Sequence, residues 1–302
     1  MNLVDPGRDE RLLEAVADVT FATQPEWTRE VPFLLASFGF DADLQRRLAI
    51  VDGEPVGYAS CGRIWMLAPD TPYAWAEIGV LPEHRGRGIG SALLAWAGAQ
   101  ALAIGKPGLQ VPCSSGRPEG IAFLEHRGFA EYDRMASVEL PLAGTERPVV
   151  AMPDGVRLTT LSDEPALLDS LYEACCEIYA DLPDPEPVAI GSFDEWRARD
   201  IDTPQGTLSG VLIAASGDEA VGLSRLVLQE RGTAVGHLIT GVRRAWRGRG
   251  IALALKRAAI GYGLDVGAER LTAENAIHNA PMRAINAKLG FQPGADFVEL
   301  RG

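Results

Sequence analysis

Arg85-Gly86-Arg87-Gly88-Ile89 and Arg247-Gly248-Arg249-Gly250-Ile251 are the same five residues, spelled twice and 162 positions apart. Each copy follows a short apolar, strand-like run (76–81 and 238–242) and opens a long Ala/Leu-rich stretch that reads as a helix. Strand, glycine-rich turn and helix start together make an anion site. A helix N-terminus offers free backbone N–H groups and a partial positive charge, and glycines let an anion approach the backbone with no Cβ in the way. The loop lacks the Gly-Lys-Ser/Thr of a Walker-type phosphate loop and the Gly-x-Gly-x-x-Gly spacing of a dinucleotide turn. A second mark repeats in the same register: Arg127-Gly128-Phe129 and Leu289-Gly290-Phe291 are also 162 positions apart. The chain is therefore built from two copies of one unit.

The spacing Arg-x-x-Gly-x-Gly/Ala (Arg85, Gly88, Gly90; Arg247, Gly250, Ala252) resembles the pyrophosphate loop of the GNAT acyl-CoA N-acyltransferases. The helix-ending Gly-Phe marks match the end of that family's fourth helix. The resemblance covers nearly the whole chain. It implies an α/β fold with a mixed sheet, as two consecutive GNAT domains: 1–145, a linker at 146–155, and 156–302.

Composition is consistent with this. The 302 residues suit about two domains, and 47% hydrophobic with 23% charged residues describes an ordinary soluble globular chain. The formal charge of −13 divides into −7 for residues 1–150 and −6 for the rest. Neither half has the basic face of a nucleic-acid domain, and an acidic surface favours a cationic substrate such as an amine. Cys61, Cys113, Cys175 and Cys176 lack metal-ligand spacing and a disulfide framework, so they read as reduced thiols and no metal is expected. Charges at Asp5, Arg8, Asp9, Glu10 and Arg11 leave no secretory apolar segment. With no apolar run long enough for a membrane span, the expected location is the cytoplasm.

Along the chain, 9–22 has helical apolar spacing, and a broken second helix follows between Trp27 and Phe38. A hairpin turning at Asp52-Gly53 comes next, and 73–80 is the strand that leads into the first loop. The helix from Gly88 stops at Gly105, with Pro107 beyond it. A strand at 109–112, a helix at 118–127 and strands over 129–140 close the first copy. Residues 141–155 read as linker. In the second copy Ser162 caps a helix running to about Tyr179, and a proline-rich break at 182–187 precedes a short helix from Ser192 carrying Trp196. A three-strand meander delivers the chain to the second loop. Helix 250–265, strand 270–272, helix 280–289 and strand 297–300 complete the copy.

What the resemblance implies for chemistry can be placed residue by residue. The amides of Arg85, Gly86, Arg87, Gly88, Ile89 and Gly90, and of Arg247, Gly248, Arg249, Gly250, Ile251 and Ala252, would anchor the pyrophosphate of acetyl-CoA. The acyl arm would pair with the backbones of Ile78 and Val80, and of Thr240 and Val242. A backbone N–H at Val80 or Val242 would serve the thioester oxygen. Glu77 lies where many family members carry a catalytic-type glutamate; its structural reading is a salt-bridged or edge-facing carboxylate. The matching residue in the second copy is Ile239, so His237 is the nearest titratable candidate on that strand, and Glu274 is a weaker one.

The family's thiolate-protonating tyrosine falls at Leu124 and Asn286, neither a good donor. Asn275, Asn279, Met282 and Asn286 closely resemble the Asn-x-x-x-Asn-x-x-Met-x-x-x-Asn series of one GNAT subgroup. Asn279 and Asn286 are thereby assigned to the cofactor, with helix capping as the structural alternative for the asparagines. Arg117 stands where Asn279 would be in the first copy. Phe193 and Trp196 read as core or as the wall of an acceptor pocket. Asp181, Asp184 and Glu186 read as a solvated loop or as a lure for a cationic amine. The expectation is an acetyl-CoA-dependent N-acetyltransferase acting on a small-molecule amine, monomeric or homodimeric. Its alternatives are a mycothiol-synthase-like tandem with one silent half and a non-catalytic acyl-CoA-binding protein.

Overall fold

The computed structural model describes residues 1–204 and 206–302. In chain order the first elements are β1 (Asn2–Val4), α1 (Glu10–Thr23), α2 (Val31–Phe40), β2 (Gln45–Val51), β3 (Glu54–Arg63) and β4 (Tyr73–Val80). They are followed by α3 (Ile89–Ala103), β5 (Gly108–Ser114), α4 (Pro118–Glu125) and β6 (Ala130–Pro141). The order repeats as β7 (Arg157–Thr160), α5 (Leu168–Tyr179), α6 (Phe193–Trp196), β8 (Val211–Ser216), β9 (Glu219–Gln229) and β10 (Ala234–Val242). Then come α7 (Ile251–Asp265), β11 (Arg270–Ala276), α8 (Ala280–Lys288), β12 (Gln292–Pro293) and β13 (Phe297–Arg301).

The chain divides into two compact units, but not at the expected linker. One unit is Met1–Arg134 with Asp296–Gly302; the other is Met135–Ala295. In the first, β1, β2, β3 and β4 pair antiparallel in that order. β5 joins β4 in parallel through the α3 crossover, and β13 closes the sheet antiparallel to β5, from Phe297 against Ser114 to Arg301 against Gln110. In the second, β7, β8, β9 and β10 are antiparallel and β11 runs parallel to β10. There β6 completes the sheet against β11, from Arg270 opposite Pro141 to Ala276 opposite Met135.

The two closing strands have thus exchanged units. The boundaries 1–145 and 156–302 are corrected accordingly. Both strands follow a Gly-Phe mark and carry similar patterns, so periodicity alone cannot tell which edge either will join. The segment expected to be a linker is also packed. Leu142 and Val156 lie in the second unit's core with Val150 and Met152 against it, and the Leu142 amide donates to the Glu269 carbonyl (2.8 Å).

Local chemistry accounts for most of the boundaries. Asp9 caps α1 through its side chain, accepting from the Leu12 amide, and Ser192 with Glu195 forms a complete capping box on α6. The expected Ser162 cap is not used. A 3-10 turn at Pro165–Leu167 comes first and α5 starts only at Leu168, because proline fits the first turn of a helix. Helix α1 contacts β4 closely at Gly79, and α5 contacts β10 at the matching Gly241, where a Cβ would fall 2.1 Å from Ile178 Cγ2. No helix among the described residues is long and apolar enough to cross a membrane.

Candidate active site

In both units the glycine loop has the same built geometry. A 3-10 turn ends β4 at Pro82–His84, and another ends β10 at Arg244–Trp246. Gly88 and Gly250 are the N-caps of α3 and α7, with φ of 82° and 84°, a left-handed conformation that glycine adopts without strain. Neither cap has a side chain to satisfy the first-turn amides, which leaves Ile89, Gly90 and their counterparts Ile251 and Ala252 as open donors. Among the described residues no backbone carbonyl accepts from the amides of Gly86, Arg87 and Gly88, or of Gly248, Arg249 and Gly250. The side chains of Ile89 and Ile251 are buried, so the helices are pinned below while their N-termini stay open.

Arg85 and Arg247 have a different place from the one expected. Their amides already donate to the carbonyls of Pro82 and Arg244. Their Nε atoms donate to the last carbonyls of the strands, Val80 (3.1 Å) and Val242 (2.9 Å). They shape the loop instead of offering it their amides. Arg85 also pairs with Glu119 (2.7 Å), and Arg247 with Asp181 (2.6 Å). Asp181 binds Arg244 too, and that hydrogen bond first, with Arg247 beside it, holds its carboxyl below the usual range. The reading of Asp181 as a lure for an amine is therefore corrected, since its charge is spent on the loop. Arg249 lies over the Trp246 ring at 4.7 Å.

Beside each loop the parallel strands part. β4 and β5 pair only at Tyr73–Trp75, and β10 and β11 only at Ala234–His237. Leu81 donates to Val56 on β3 and Arg243 donates to Val221 on β9. By strand alternation the amides of Ile78 and Val80, and of Thr240 and Val242, then point away from those neighbours into the gap. The Ile78 carbonyl is taken by Gln24 Nε2 (2.6 Å). Each gap therefore has a row of free N–H donors leading to a helix N-terminus, which suits an extended arm ending in a pyrophosphate. In the second unit a bulge between His237 and Ile239 leaves Leu238 unpaired and 52% exposed.

Glu77 lies on the α1 side of its sheet, as Gly79 on the same face meets Thr23 of α1. Its carboxylate accepts from Tyr58 Oη and from Trp75 Nε1, both at 3.3 Å. Burial first, and the Glu77 charge second, push the Tyr58 hydroxyl well above its usual range, keeping it a donor. Trp27 packs on Trp75 and on Phe297, with ring centroids 5.8 and 5.6 Å apart.

His237 faces the other way, toward α7. Its Nδ1 is 3.3 Å from Ser224 Oγ, and its Nε2 is buried without a partner among the described residues. Burial first, then Lys256, holds its pKa well below the ordinary value, so it is neutral at pH 7. Lys256 is 1% exposed beside the Phe291 ring, and burial lowers its ammonium to about 7. Glu274 falls within β11 instead of after it.

The asparagine series has structural partners. Asn279 caps α8 by accepting from the Met282 amide (3.3 Å), leaving its NH2 group for a ligand. Asn286 is buried and donates to Asn275 Oδ1 (2.6 Å), while its own Oδ1 has no partner among the described residues. In the first unit Leu124 is core and Arg117 pairs with Glu26.

A family model described as Acetyltransferase (GNAT) family matches residues 12–129 and 168–291. The chain belongs to this family. The GNAT segment occurs in it twice, in tandem. A mycothiol acetyltransferase of Nocardia farcinica is 35% identical over 127 residues, 41% of this chain and 38% of that protein. One of Nocardiopsis dassonvillei is 27% identical over 249 residues, 73% of this chain and 70% of that protein. Among solved structures, a tandem GNAT protein from the clavulanic acid biosynthesis pathway superposes with a TM-score of 0.74 at 20% identity. It covers 100% of this chain and 98% of that one. A GCN5-related N-acetyltransferase from Sphaerobacter thermophilus gives 0.70 at 21%, covering 100% and 95%. Those two likenesses carry the fold, the mixed sheet with helices on both faces.

Sequence reasoning missed one group of side chains. On the α5 side of the second unit, Asp200, Arg225, Tyr179, Cys175, Trp196 and Ile239 line a cavity of about 10 Å³, room for roughly one water. The arginine in the apolar run of β9 was the available signal, since a buried charge needs a partner.

Proposed function

We propose that the chain transfers an acetyl group from acetyl-CoA to the amine of a small molecule by direct attack on the bound thioester. The observation that carries this is the row of open amides along the parted strands, ending at the Gly88 and Gly250 helix caps. Gly86–Gly90 and Gly248–Ala252 take the pyrophosphate, and Ile78, Val80, Thr240 and Val242 take the arm. Asn279 reaches the cofactor through its NH2 group. Glu77 is the first unit's base. His237, neutral on the α7 face with its Nε2 buried, is the titratable candidate on the second unit's strand.

The acidic charge of both halves suits a cationic acceptor and not nucleic acid. We place the protein in the cytoplasm, as a monomer or homodimer. A second reading, a mycothiol-synthase-like tandem in which the first half is silent, is supported by Leu124 in the core of that half and by the names of the relatives.

Calorimetric titration with acetyl-CoA of the wild type, Gly88→Asp and Gly250→Asp tests the reading. An aspartate at either cap puts a carboxylate where the pyrophosphate lies and strains a left-handed backbone. Two sites, each lost with its own substitution, are expected if both loops bind. One site, lost only with Gly250→Asp, makes the first half a scaffold. No binding in the folded wild type refutes the acyl-CoA assignment.

A further inference from the structure

The second unit lacks a carboxylate at Ile239, the position that Glu77 fills in the first. The face of the sheet that Ile239 occupies nevertheless holds one. Asp200 sits in the π-helical turn after α6 (Arg197–Ile201), 7% exposed, and lines the same cavity as Ile239. Arg225 lies directly opposite Ile239 in the β9–β10 register and is 3% exposed. Its Nε donates to the Asp200 main-chain carbonyl (2.7 Å) and its Nη1 to that of Leu226 (2.6 Å). Two of the three guanidinium nitrogens are thus used on backbone, while Nη2 is buried without a hydrogen-bond partner among the described residues and the charge still acts on Asp200. The Asp200 carboxylate is bonded by the hydroxyl of Tyr179 from α5.

The two units match in chemistry and differ in the elements that supply it. In the first, Glu77 from β4 accepts from the buried hydroxyl of Tyr58 on β3, with Arg46 of β2 in electrostatic reach of that hydroxyl. In the second, Asp200 from a turn accepts from the buried hydroxyl of Tyr179 on α5, with Arg225 of β9 beside it. Each set lies on the helix face away from the glycine-loop helix.

We infer that Asp200 is the general base of the second half, acting through one water in the cavity it shares with Ile239. The inference rests on the acetyl-transfer reading. The carboxylate takes a proton from the acceptor ammonium by way of that water. The amine nitrogen then bonds to the thioester carbonyl carbon as the C–S bond breaks. The second nitrogen proton goes to the departing CoA thiolate, and protonated Asp200 returns its proton to solvent.

The surroundings suit a base that works near neutrality. Burial, outweighing Arg225 and Arg199, raises Asp200 to about 6. Groups facing it are Tyr179 and Cys175 from α5, both raised well above their usual values first by burial, Arg225 from β9, and Arg199 on its own turn. β10 presents only Ile239 to the cavity.

The test follows thiol release from acetyl-CoA at pH 5–9 with a fixed set of amines (ethanolamine, tryptamine, spermidine, glucosamine). It compares the wild type, Asp200→Asn, Tyr179→Phe and Asp200→Asn/Ile239→Glu, with acetyl-CoA binding measured on each. The wild type should show an acidic limb in kcat near pH 6. Compared in a Gly88→Asp background, so that the first half contributes no turnover, Asp200→Asn should lose that limb and about 100-fold in kcat while still binding acetyl-CoA. Restoring a carboxylate through Ile239→Glu should recover at least tenfold. Tyr179→Phe keeps the carboxylate but removes the bond that favours its charged form, so its limb should move to higher pH. A purely structural Asp200 would not produce that shift. Unchanged kcat and limb in Asp200→Asn, or an unmoved limb in Tyr179→Phe, overturns the assignment alone. A wild type that binds acetyl-CoA yet releases no thiol above hydrolysis overturns the transferase reading, and the base with it.

Discussion

Replacing Lys256 with methionine should remove a pH dependence of stability that one buried amine imposes. Lys256 is in the second turn of α7, 1% exposed, with its ammonium facing the Phe291 ring at 5.4 Å. Burial lowers it from its ordinary 10.5 to about 7. Since the folded value is depressed and the group is a base, the unfolded chain holds one more proton between pH 7 and 10.5. Stability must therefore rise with pH across that window. Each pH unit contributes at most about 1.36 kcal/mol, so the wild type should gain about 2 kcal/mol between pH 7 and 9, allowing for half-protonation at the start. Methionine has a similar volume and no charge, and although it lifts the Lys256 charge from His237, burial, the larger cause, still holds that ring low. Urea denaturation of both proteins at pH 7, 8 and 9 reads the effect as a difference. The wild type should approach Lys256→Met, or pass it, as pH rises. Parallel curves across the three pH values would refute the argument.

Two further outcomes follow from geometry. Gly241→Ala puts a methyl group into Ile178 of α5 and should cost about 1–3 kcal/mol in denaturation, with any loss of acetyl-CoA affinity confined to the second site. Below pH 4 the Asp181 and Glu177 carboxylates, both held low by their arginine contacts, must protonate. Each contributes stability above its unfolded value that is lost as pH falls through the lower folded one. Asp181→Asn should therefore flatten the acid limb of a thermal-denaturation series.

Much of this was readable without coordinates. Glycine twice before an Ala/Leu-rich run located both helix caps, because only a residue free of a Cβ takes the φ near 80° found at Gly88 and Gly250. Alternation likewise located β4 and β10. What escaped depended on contacts distant in sequence. Arg85 and Arg247 carry the motif, yet their side chains turn back on Val80 and Val242, which spacing does not reveal. Asp200 stands among other charged residues (Asp194, Glu195, Arg197, Arg199), so nothing in its sequence neighbourhood marks it as buried. Only the π-helical turn and Arg225 make it a buried group. Asn279 carried both of its readings, and the cap is the one its Oδ1 makes.

The exchanged closing strands also set a timetable for synthesis. Ser114 of β5 pairs with Phe297 of β13, so one edge of the first sheet is translated 183 residues before its partner. At roughly 5–20 residues per second, that edge stands unpaired for about 10–40 s on the ribosome. An open strand edge templates pairing with other chains. The first unit therefore cannot finish folding as it emerges, and a stop codon anywhere before β13 strips a strand from the half of the molecule that was made first.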